Sequence, residues 1–306
     1  MTECTEALLK VHGSRCLAAV RAHLVTQLPG LIGKNDMPDV QTVAIGILDT
    51  LFEYAAPDSF DLLPKVLGDY TRFCSHAHPD LRQCAAFGLG MVMEKAPPAV
   101  ADRLAAETLA ALRSGLALDC ARADEEQSRA TDNVVSSILR VARFRGPAPG
   151  VDARRIYAEC ILPNLPATDC PTESKIMHGW LLRAIQGKDG SVLAAAGGGA
   201  NGARMLLELL GRILGEHHCN CLLSETEVEG GDEIGVEVDE TDLPGIIFAS
   251  DMDLVKRCVG GLVAGLPKEG MAAVMRRLPG PIQELLRDPS AVKDPEALIA
   301  AVHGES

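Results

Sequence analysis

Pro79-Asp80-Leu81-Arg82-Gln83-Cys84-Ala85-Ala86-Phe87-Gly88-Leu89-Gly90 follows a short turn, His76-Ala77-His78-Pro79. Before the turn, Phe60, Leu62, Leu63, Val66, Leu67, Tyr70 and Phe73 recur mostly by threes and fours. That spacing places them on one face of a helix. Asp80 is expected to cap the second helix. Glycine weakens a helix, so Gly88 and Gly90, with Ala85 and Ala86, are read as small residues that admit a close neighbour. One such pair cannot bury its apolar face alone, so further copies are expected.

Second helices of the same kind are expected near Pro38, Gln127, Pro171 and Asp251. With Asp80 included, the first four starts lie roughly 42 to 47 residues apart, the period of HEAT or armadillo repeats. The last gap is nearly double. Its excess lies in a glycine-rich loop at Ala194–Gly202 and an acidic stretch at Glu225–Asp242. The expectation is an all-α HEAT-repeat solenoid over residues 1–290, with helix pairs at about 13–55, 58–95, 97–145, 152–187 and 201–266. A C-terminal cap helix and tail occupy 291–306. An array needs a polar cap at a free end. Leu8, Leu9, Val11 and Leu17 supply none, so the chain is read as the tail of a longer protein.

A chain of 306 residues suits two ordinary domains or one elongated array. Aromatics make up only 3%, which argues against an aromatic-rich β-sandwich or a base-stacking surface. The net charge of −13 repels phosphate, so direct nucleic-acid binding is not expected. The same field draws basic partners; equally, it could serve only solubility. Ten cysteines form no framework, which points to a reducing intracellular compartment. No signal peptide stands at Met1, and no apolar run is long enough to span a bilayer, so membrane insertion is not expected.

The Pro79–Gly90 stretch is similar to a C-terminal HEAT repeat of the importin-beta (karyopherin-beta) family of nuclear transport receptors. Three further segments agree in order and spacing. These are Pro38-Asp39 through Ile47-Leu48-Asp49-Thr50-Leu51-Phe52-Glu53 with Pro57-Asp58-Ser59-Phe60; Ala130-Thr131-Asp132-Asn133 through Ile138 and Arg143-Phe144; and Asn164-Leu165-Pro166 with Asp169 and Glu173. The resemblance covers about residues 13–290. It implies a right-handed superhelix of antiparallel helix pairs whose second helices line the concave face. It implies nuclear import of protein cargo with basic localisation signals, released by Ran-GTP in the full-length protein. Ran GTPase and nucleoporins are then partners of the full-length receptor, which shuttles between cytoplasm and nucleus as a monomer. The family's receptors are several times longer than this chain, and their main Ran-binding region lies in the part absent here.

The acidic stretch holds nine carboxylates and no basic residue: Glu225, Glu227, Glu229, Asp232, Glu233, Glu237, Asp239, Glu240 and Asp242. Its composition predicts a disordered insertion over about 224–243, between the two helices of the fifth pair. It is read as a cargo-attracting arm or as a solvated insertion without a role. Asp132 and Asn133, near the start of a second helix, are candidates to face cargo, or to serve as a surface turn or cap. Trp180 is expected in the core among Ile176, Leu181, Leu182 and Ile185.

Gly197-Gly198-Gly199-Ala200-Asn201-Gly202 before Ala203 fits a dinucleotide-loop pattern. The reading needs a strand before it, and Ser191-Val192-Leu193-Ala194 makes a poor one. His217-His218-Cys219-Asn220-Cys221 has metal-ligand chemistry, but adjacent ligands on one helix end cannot easily surround an ion. No GxxxxGK[ST], HExxH or GxSxG motif is present. The reading is a binding scaffold, not an enzyme, with no cofactor and no metal. Its rivals are a HEAT scaffold of phosphatase-regulatory or assembly-factor type, and a nucleotide-dependent enzyme using the glycine loop.

Overall fold

The computed structural model describes residues 2–33, 37–227, 245–264, 266 and 280–285. Among these the chain is helical, with no strand. It forms two units, Met1–Ile156 and Tyr157–Ser306. No helix of the described residues is long and apolar enough to cross a membrane.

The first unit opens with α1 (Thr2–His12) and a broken stretch where the sequence reading expects one helix. A 3-10 turn at Gly13–Cys16, α2 (Leu17–Val20), a π turn at Arg21–Val25 and α3 (Leu28–Ile32) succeed one another. The breaks have local causes. Gly13 takes φ +52°, and Pro29 lacks the N–H that a helix interior requires, so a new helix starts around it.

The body of the unit is α4 (Pro38–Tyr54), α5 (Leu63–Phe73), α6 (Pro79–Lys95), α7 (Pro98–Leu116) and α8 (Glu125–Arg145), closed by the short α9 (Ala153–Ile156). Proline leads α4, α6 and α7, at the position where its missing donor costs nothing. At α8 the Asp124 side chain accepts the Gln127 N–H at 2.8 Å, a cap that satisfies one of the free donors of the first turn. Asp80 does not cap α6. Pro79 takes the first position, His78 is the cap residue without a side-chain bond, and the Asp80 carboxylate instead faces the positive end of the helix dipole.

Helix α6 packs on α4, α5, α7 and α8, and α5 packs on α7. Thus α4, α6 and α8 form one layer and α5 and α7 another. Ala44, Ile45, Leu81, Ala85, Leu89, Val92, Val134 and Ile138 are fully enclosed between them. Burying a large aliphatic side chain contributes about 1.5–3 kcal/mol. The Phe52 ring stacks on Phe60 at 5.6 Å and meets Tyr70 at 5.9 Å. Gly88 and Gly90 are the points of closest approach. A Cβ on Gly88 would collide with Asp49 and the Tyr70 ring, and one on Gly90 would lie 2.6 Å from Ser137 Oγ.

The second unit passes a π turn at Tyr157–Ile161 and a 3-10 turn at Leu162–Asn164 into α10 (Pro171–Gln186), α11 (Gly190–Ala195) and α12 (Gly199–Glu227). A 3-10 turn at Ala249–Asp251 leads into α13 (Met252–Ala264), and α14 is Gly280–Leu285. Helix α13 packs on α10 and α12, and α12 packs on α11 and α14. Leu181, Leu182, Leu206, Leu210, Val255 and Val259 fill the space between them. Trp180 and Ile176 are half-buried, not in the core as expected. They lie beside the inward face of α10 that carries Met177, Leu181 and Ile185. Helix α12 runs on through Glu227, so Ser224–Glu227 are helical where disorder is expected. The rest of the acidic stretch and residues 291–306 lie outside the described residues.

Candidate functional site

Asp132 and Asn133 stand on the second turn of α8 and do not face solvent. Asp132 is 0% exposed and Asn133 3%. The Asp132 carboxylate accepts from Arg122 Nη1 at 2.6 Å, from the loop before α8. Asn133 Nδ2 donates to the Arg129 carbonyl one turn back at 3.1 Å. A carboxylate enclosed this way is stabilised by its guanidinium and is costly to uncover. The Asp132–Arg122 pair therefore holds the α7–α8 loop onto α8, Asn133 is tied within α8, and neither Asp132 nor Asn133 is open to a partner.

The same inward use of polar groups runs along the α4–α6–α8 layer. Near the helix starts, Arg82 on α6 is fully buried and donates to Gln127 Oε1 on α8 and to the His76 carbonyl. At the far ends, Arg140 Nε donates to Glu94 Oε2 at 3.0 Å and its Nη1 to Ser136 Oγ at 2.6 Å. Start meets start and end meets end, so α6 and α8 run in the same direction. Two basic residues then repeat one role. Lys95, the last residue of α6, donates to the Glu53 carbonyl at the end of α4 at 2.7 Å. Arg145, the last residue of α8, donates to the Met93 and Ala96 carbonyls at the end of α6 at 2.8 and 2.9 Å. Each clasps the free carbonyls that a helix leaves at its C-terminus. The sequence reading misses this role, although a basic residue closing both helices is a visible signal.

Asp49 and Tyr70 form an enclosed titratable pair, with the Tyr70 hydroxyl donating to Asp49 Oδ1 at 2.6 Å. Burial pushes the Asp49 carboxyl well above its ordinary range, against the Tyr70 hydrogen bond that lowers it. Burial, followed by the neighbouring Asp49, raises Tyr70 as well. A shifted carboxyl in an open cleft is a catalytic signal. Here the Gly88 backbone fills the space beside both groups, so no substrate atom has room there.

Of the acidic candidates, Glu225 and Glu227 lie on the last turns of α12. Glu229, Asp232, Glu233, Glu237, Asp239, Glu240 and Asp242 lie outside the described residues. The glycine loop connects two helices. Gly197, Gly198 and Gly199 take φ of +105°, +64° and +51°, a left-handed run open mainly to glycine. Helix α11 occupies the place where a dinucleotide fold needs a strand. The loop forms one wall of a cleft of about 360 Å³. Lys188 and Arg257 line this cleft together with apolar residues that include Leu193 and Leu262.

His217 Nδ1 accepts the Ile246 N–H at 3.2 Å; the rest of the His217–Cys221 metal reading lies outside the described side chains. Among the described residues no group of three or more His, Cys, Asp or Glu could hold a metal ion. Eight described cysteines are free thiols.

No known family model matches this chain, and no curated protein matches it.

Proposed function

We propose that this chain is part of a HEAT-type binding scaffold of the nuclear import receptor kind. In this reading the helix pairs form an array whose second helices line the concave face. Basic signal-bearing cargo is held there by many weak contacts and released, in the full-length receptor, by Ran-GTP. The observation that carries the reading is the α4–α6–α8 layer: parallel helices joined by return helices and tied rung to rung. A repeat array is built from units of that form. The net charge of −13 gives such a surface the sign that basic cargo requires. With Asp132 and Asn133 enclosed, the carboxylates from Glu225 to Asp242 are the acidic candidates that remain.

The test is capture of a basic localisation peptide by the chain at low and moderate salt. A second form carries glutamine or asparagine at the nine carboxylates of Glu225–Asp242. Binding that weakens with salt and falls in the neutralised form supports the reading. No binding by either form, with capture of neither Ran nor nucleoporin repeats by the full-length protein, favours a scaffold of another kind.

A further inference from the structure

Residues 245–248 lie in no helix and no strand, and side chains hold them in place. His178, midway along α10, is 0% exposed. Its Nδ1 lies 2.7 Å from the Ile246 carbonyl, and its Nε2 accepts the Ala167 N–H at 3.4 Å. An amide N–H can only donate, so Nε2 is the bare nitrogen and Nδ1 carries the proton to Ile246. The Ile246 N–H in turn donates to His217 Nδ1 on α12 at 3.2 Å. Both backbone polar groups of one buried residue are thus held by imidazoles from two different helices.

This arrangement requires a neutral His178. An imidazolium has a donor at each nitrogen, so a protonated ring would set Nε2–H against the Ala167 N–H. Burial lowers the His178 pKa from 6.5 to about 4, opposed by the Ile246 carbonyl and aided by His217. Other charged groups on the surrounding elements have their own places. Asp251, which closes the 3-10 turn after the segment, faces Arg183 of α10 at 3.4 Å. Lys175 of α10 lies over the Phe248 ring at 6.0 Å. Asp169, in the loop that carries Ala167, accepts from Thr168 Oγ1. On α13, Asp253 and Arg257 are exposed and Lys256 is half-buried.

We propose that this two-histidine hold is an acid-released latch, which seats residues 245–248 against α10 while His178 is neutral and frees them when His178 takes a proton. In the closed form the ring resists protonation; in the open form it titrates as a solvated histidine. Opening is therefore linked to the uptake of one proton across the interval between the two values. The closed form is fully favoured above about pH 6.5 and loses ground as pH falls towards 4.

Amide exchange at 245–248 reads this directly, as protection corrected for intrinsic exchange from pH 7 to 4.5. Protection in the wild type is expected to fall about tenfold per pH unit below pH 6. His178→Gln, which can donate to Ile246 and accept from Ala167 without titrating, is expected to show no such slope. Wild-type protection independent of pH overturns the proposal. So does a slope that survives His178→Gln and disappears in His217→Gln. If the glutamine variant does not fold, the wild-type imidazole nitrogen spectrum decides. An Nδ1–H tautomer that titrates below pH 5 supports the latch, and a ring that titrates near 6.5 overturns it.

Discussion

Asp49 and Tyr70 show how one pair couples stability to pH. The unfolded carboxyl ionises near pH 4, whereas burial holds the folded one well above that. The folded pKa is raised, so the contribution is complete below about pH 4 and is lost as pH climbs towards the folded value. Asp49→Asn removes this dependence. Its urea midpoint is expected to gain on the wild type as pH rises from 4 to 8; a constant gap contradicts the assignment. Tyr70→Phe leaves the buried carboxyl without its donor and is expected to cost about 1–3 kcal/mol. Apolar residues were legible at this scale. Phe60, Leu63, Val66, Tyr70 and Phe73 are all buried, as their spacing predicts. Asp132 and Asn133 were not legible, because a polar side chain on a polar-looking helix reads as exposed. What encloses Asp132 is Arg122, in a loop whose path no periodicity reveals.

Helix starts were readable because a proline or an acidic residue marks each of them locally. The expected starts at Pro38, Asp80, Gln127, Pro171 and Asp251 correspond to helices that begin at Pro38, Pro79, Glu125, Pro171 and Met252. The boundary at Gly13 was readable, since the first helix pair is expected to open there and α1 ends at His12; the π turn at Arg21–Val25 was not, because no residue in it marks a break. The close approach at Gly88 gives a prediction for the α4–α6 contact. Gly88→Ala is expected to cost about 1–3 kcal/mol of stability, as overpacking does, with early exchange of the α4 and α6 amides. Wild-type protection in both helices would show that the contact relaxes freely. The clasp at the other end gives a second prediction. Arg145→Met keeps the apolar stem but removes the donors to Met93 and Ala96. It is expected to cost about 1.5–3 kcal/mol, with exchange concentrated at the C-terminal turn of α6. Uniform loosening of the whole unit would instead mean that Arg145 acts by packing alone.

For the whole molecule, charge gives the clearest expectation. Association with a basic peptide should slow steeply as salt rises, because screening shortens the reach of an acidic surface. Stopped-flow association rates at two ionic strengths check it, and salt-independent rates would remove electrostatic attraction from the picture. The acidic balance was legible in composition; which carboxylates stay outside the packed layers was not, because that depends on contacts far apart in sequence. The clasps at Lys95 and Arg145 also give assembly a direction. The carbonyls ending α4 wait for a donor 42 residues further along, and Met93, near the end of α6, waits for one 52 residues on. During translation the chain emerges N-terminus first. In this layer α4 and α6 therefore each remain unfinished until the next helix of the layer leaves the ribosome, and a chain stalled before that keeps an open edge at the helix made last.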